Sequence, residues 1–165
     1  MIQIDITSRK YQFSMTVNHK ITVIRGDSGK GKSKFTQAAV DVSGAYRIKV
    51  SDSRYRLVVP SNKDWYITIQ RNIEHKDRCI YIIDDADYVS SAAFSNLCNS
   101  DEYSYYVIIN RFEQLDVTPP GYLSLPTDEV YTFKAKDEQH YLEKVDAAEQ
   151  PTNLFTATSN YPDEN

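Results

Sequence analysis

The chain is poor in most of the residues that serve special chemistry. Its 165 residues include two cysteines, Cys79 and Cys98. Two cysteines set no disulfide framework, and these lack metal-ligand spacing. Both are expected to be reduced, small apolar fillers, which suits a cytoplasmic protein. No apolar run reaches the roughly 18 residues of a membrane helix, so no membrane contact is expected. The N-terminal MIQIDITSRKYQF lacks the apolar centre of a secretory leader. A strong positive charge is missing too, since the net charge is −4. From Asp137 onward seven acids face one base, which leaves the rest of the chain at +2. Such a body suits an anionic ligand but lacks the basic stripe of a nucleic-acid binder. The tyrosines are expected to pack in the core instead of stacking on bases.

Glycine is scarce, with five in all, and three of them crowd one stretch, VIRGDSGKGKSKF, over Val23 to Phe35. Gly26-Asp27-Ser28-Gly29-Lys30-Gly31-Lys32-Ser33 fits G-x-x-x-x-G-K-[ST] at every position. Glycines allow positive φ and a close approach to phosphate oxygens. Successive N–H groups, Asp27 to Ser33, then form an anion nest, and the following helix adds its positive end. Lys32 would reach the β- and γ-phosphates, the Ser33 hydroxyl would bind Mg²⁺, and Lys34 adds a cation to the same turn. The alternative is a basic turn without a ligand.

Around the loop, Ile2 to Val17 reads as a strand pair and Ile21 to Arg25 as a strand that feeds the loop. Lys32 to Val42 reads as a helix with Phe35, Ala38, Ala39 and Val42 on one face. Tyr46 to Val50 and Tyr55 to Val59 are strand candidates. Ser61 could cap a helix carrying Trp65, Ile69 and Ile73. CIYII (Cys79 to Ile83) and YYVII (Tyr105 to Ile109) look like strands buried on both faces. Asp87 to Asn99 and Asp137 to Ala148 read as helices, Val117 to Pro126 as loop, and Val130 to Ala135 as a strand. The alternation argues for one α/β domain over residues 1–149, followed by a loose polar tail over 150–165, past which a longer natural protein could continue. The expected sheet is mostly parallel, with an antiparallel N-terminal hairpin at an edge.

Ile80-Tyr81-Ile82-Ile83-Asp84-Asp85 supplies acids at the end of a buried strand. With the glycine loop, this stretch resembles the P-loop NTPases of the additional-strand group, including AAA+-like ATPases. That resemblance implies the P-loop three-layer sandwich and Mg·ATP as ligand. It makes Asp84 the Mg²⁺-side carboxylate of a Walker B motif and Asp85 the residue that polarises the attacking water. Asp85 replaces the family's usual Glu and is one methylene shorter; the bland reading is that it caps the next helix. Asn110, at the end of YYVIIN, matches a sensor residue near the γ-phosphate, and Arg111 follows it. Asp87 reads as a cap or solvated acid.

Guanine specificity lacks support, because Asn62-Lys63-Asp64 is followed by Trp65 and precedes Asp84. A Leu-Ser-Gly-Gly signature is missing, so a complete ABC-type head is not expected. Three functions stay open. One is a slow ATPase that depends on a protein partner or a homo-oligomer, another a small nucleotide or metabolite kinase, and the third a non-hydrolytic ATP-gated interaction module. Arg71 and Arg78 are the candidates for an arginine finger.

Overall fold

The computed structural model describes residues 1–25, 32–41, 43–84, 86–110, 129–136 and 138–144. In chain order the elements are β1 (Ile2–Thr7), β2 (Tyr11–Val17), β3 (Ile21–Arg25), α1 (Lys32–Ala39), β4 (Arg47–Val50), β5 (Arg56–Val58) and α2 (Trp65–Glu74). They continue with β6 (Cys79–Asp84), a 3-10 turn (Asp87–Ser90), α3 (Ala92–Ser100), β7 (Tyr105–Asn110), β8 (Glu129–Lys136) and β9 (Gln139–Lys144). Among the described residues no helix is long and apolar enough to cross a membrane.

Among the described residues nine strands join one sheet, in the order β4-β1-β2-β9-β8-β3-β7-β6-β5. It is mixed. β4, β1 and β2 run antiparallel, as do β8 and β9, whereas β8-β3-β7-β6-β5 is parallel and β9 meets β2 in parallel. The expected three-layer sandwich with a mostly parallel sheet is therefore wrong. The three α-helices among the described residues span only 8, 10 and 9 residues. The expected edge hairpin β1–β2 is interior, with β4 outside it and β9 beside it.

The reason lies in the alternation of burial. β1 buries Ile2, Ile4 and Ile6 while Gln3 is exposed and Asp5 and Thr7 are half-exposed. Such strands have one apolar face and need cover on one side only. Their outer face is tied by polar cross-strand bonds: Ser14 donates to Asp5 at 2.6 Å and Thr16 to Gln3 at 2.8 Å. Only the central strands are apolar on both faces, so helices α2 and α3 are needed only there. Ile69, Phe94, Leu97 and Cys98 cover Ile21, Val23, Tyr81, Ile83, Tyr106 and Ile108.

On the other face the sheet curls, barrel-like, around α1. One core holds Ile4 and Ile6 of β1, Phe13 of β2, Phe35 and Ala38 of α1, Ile80 and Ile82 of β6, and Phe133 of β8. Phe35 meets Phe13 edge-on at 5.3 Å and Phe133 at 6.0 Å. These contacts draw strands from distant places in the sheet onto one helix.

The segment expected as a last helix is β9. Glu138 adopts φ 66°, which reverses the chain, and β9 then pairs antiparallel with β8 from Tyr131↔Lys144 to Lys136↔Gln139. β9 meets β2 only at Tyr11↔His140 and Gln12↔Tyr141. Farther along β2, the Tyr131 hydroxyl accepts from the Thr16 N–H at 3.0 Å and so bridges β8 to β2. Two other helix expectations shift. Asp87 opens a 3-10 turn, and α3 starts after it with Ser91 as its cap, accepting from the Phe94 N–H at 3.1 Å. Ser61 accepts from the Asp64 N–H at 2.9 Å, closing a turn just before α2 instead of capping it.

Candidate functional site

β3 ends at Arg25 and α1 begins at Lys32, so a strand leads into the glycine stretch and a helix leaves it. Residues Gly26, Asp27, Ser28, Gly29, Lys30 and Gly31 lie outside the described residues, as do Asp85 and Arg111. Lys32 and Ser33 form the first two positions of α1, and Lys34 is exposed on it. The helix turns Phe35, Ala38 and Ala39 into the core, as their spacing predicts. It stops at Ala39, and Val40 beyond it is 52% exposed.

The parallel pairing fixes what stands beside the loop. Arg25 of β3 is level with Asn110 of β7, and Ile109 of β7 is level with Asp84 of β6. Three adjacent strands thus end together, and their carboxyl ends present the start of the loop, Asn110 and Asp84 along one edge. At the usual strand spacing of about 4.8 Å, Asp84 lies about 10 Å across the sheet from β3.

α1 closes that distance. The Thr36 hydroxyl donates to Asp84 Oδ2 at 3.5 Å. Ser33 precedes Thr36 by three residues in α1. Thr36 belongs to no motif in the sequence; its i+3 spacing from Ser33 is the one signal that marks it. Asp84 is half-buried at the end of an otherwise fully buried strand. A carboxylate there suits Mg²⁺, which takes hard oxygen ligands and needs only one or two carboxylates when phosphates supply the rest.

The other candidates separate from this edge. Arg78 precedes β6, and its guanidinium lies over the rings of Tyr55 at 5.9 Å and Tyr103 at 5.1 Å. It is therefore at the amino end of the strand whose carboxyl end carries Asp84, about 20 Å away along the chain. Arg71 is exposed in the last turn of α2. Tyr106 is fully buried, and its hydroxyl donates to Asp101 at 2.6 Å, so it packs as expected of the tyrosines.

No family model matches this chain, and no curated protein does.

Proposed function

We propose that the chain binds Mg·ATP through Gly26 to Ser33, with Asp84 on the metal side, and hydrolyses it slowly or only with a partner. Two things support the reading. The loop sequence has the glycine, lysine and hydroxyl spacing that a phosphate nest requires. The observation that carries it is the meeting of Asp84 with Thr36, on the helix that leaves the loop. The reading needs a strand, a loop, a helix and a neighbouring carboxylate, and not a three-layer sandwich.

In this reading the Asp27 to Ser33 amides and the Lys32 ammonium hold phosphate oxygens, with Lys34 adding positive charge. Ser33 and Asp84 would hold Mg²⁺, which supplies charge neutralisation on the phosphates when bound. Asp85 would polarise the attacking water, and Asn110 would help place it. Arg78 is engaged by tyrosines at the far end of β6; a partner or a second copy would be one source of a transition-state arginine.

The test is calorimetric titration of the full chain with Mg·ATP, alongside phosphate release over a range of protein concentrations. Saturable binding lost in Lys32→Ala, with turnover that rises with concentration or partner, is the expected result. Equal binding by Lys32→Ala removes the assignment.

A further inference from the structure

The same sheet edge carries a second feature. A cleft of about 400 Å³ is lined, among the described residues, by Asn62, Asp87 and Tyr88. β5 and β6 are neighbouring parallel strands. Asn62 comes four residues after the end of β5, and Asp87 three after the end of β6. The cleft therefore lies outside the carboxyl ends of two adjacent parallel strands, where parallel sheets take ligands. Its volume is at the small end of the roughly 300–1,000 Å³ typical of small-molecule sites.

The described walls are chemically mixed. Asp87 and Asn62 are exposed, so their carboxylate and carboxamide are available. Tyr88 is fixed. Its ring stacks on Trp65 at 4.4 Å and 5°, and Phe94 meets it edge-on at 5.5 Å. Burial pushes the Tyr88 phenol above the ordinary tyrosine range. A carboxylate that accepts, an amide that does both and a rigid phenol match a ligand with several adjacent hydroxyls. We propose that this cleft binds a small polyhydroxylated molecule of monosaccharide size. Asp87 accepts from its hydroxyls, Asn62 donates and accepts, and Tyr88 forms the aromatic wall. The site stands on its own geometry and does not require the nucleotide reading.

Trp65 is the only tryptophan in the chain, and it stacks on a cleft residue, so its emission reports on the site. The full chain, without nucleotide, is titrated with ribose, glucose and myo-inositol, with choline as a cationic comparison. A saturable change in Trp65 emission with a polyol is expected, weakened about tenfold or more in Asp87→Asn and in Asn62→Ala. Both residues are exposed, so melting temperatures should match the parent. The proposal is overturned if no polyol changes the emission at concentrations that saturate a millimolar site. It is also overturned if choline alone responds, or if the polyol response survives Asp87→Asn unchanged. Because nucleotide is left out, these outcomes are separate from those of the Mg·ATP titration.

Discussion

Thr36 on α1 directs its hydroxyl at Asp84, the last residue of β6, with Oγ1 3.5 Å from Oδ2. The contact is long for an O–H···O bond and weak by itself. Its importance is positional, because it sets the helix after the glycine loop against the strand that ends in an acid. Asp84→Asn should therefore separate metal from nucleotide. Nucleotide binding measured in EDTA should be unchanged, while the Mg²⁺ concentration for half-maximal binding rises about 10–100-fold. Thr36→Val should shift it in the same direction by a few-fold. Calorimetry at stepped Mg²⁺ reads both, and identical Mg²⁺ dependence in parent and Asp84→Asn would remove Asp84 from the site.

Phe35 is fully buried between Phe13 of β2 and Phe133 of β8. Removing its ring leaves a void where the curled sheet meets α1. Phe35→Ala should cost about 3–5 kcal/mol. Urea unfolding followed by far-UV circular dichroism gives the number, and a loss under about 1 kcal/mol would mean that the sheet closes without this ring.

Tyr81, Tyr88 and Tyr106 are each pushed above the ordinary tyrosine value of 10.0, in every case chiefly by burial. The unfolded chain releases these protons near pH 10, while the folded chain keeps them. The native state then binds more protons, so stability is fully present below about pH 10 and falls as pH rises beyond it. Each tyrosine can contribute up to about 1.4 kcal/mol per pH unit. Urea midpoints at pH 8, 10 and 11 test this, and a flat profile across that range would contradict the burial of the three phenols. Tyr106→Phe should lessen the slope. It should also cost about 1–3 kcal/mol at neutral pH, because buried Asp101 loses its 2.6 Å donor.

Cys79 and Cys98 are both buried, and burial pushes the Cys79 thiol up from its ordinary value. A thiol reagent should find no reactive group in the native chain at neutral pH and two in denaturant. Rapid labelling of the native protein would show that the core around α3 opens readily.

Several elements were legible because their signal is local. Ile2, Ile4 and Ile6 alternate with polar residues and form a strand with one buried face. CIYII and YYVII are unbroken apolar runs, and both became strands buried on two sides. Phe35, Ala38 and Ala39 carry helical spacing and face the core. The acid that follows CIYII, together with the helix that follows the loop, could be read in the same way.

Other parts could not be read. Tyr141 and Val145 have helical spacing, yet QHYLEK is β9, because a short segment can satisfy both periods and the partner strand decides between them. Tyr131 bridging to Thr16 joins residues 115 positions apart. Asn62, Asp87 and Tyr88 carry no joint spacing that would mark a cleft.

By itself the sequence determined which faces are apolar and which short runs form buried strands. Those properties depend on neighbours a few positions away. Only the tertiary structure decided that a second hairpin lies between β2 and β3, that the sheet curls around α1, and that Thr36 meets Asp84. Strand order and register come from pairing between distant segments, and there the fit of the shared core selects among arrangements that local pattern leaves equal.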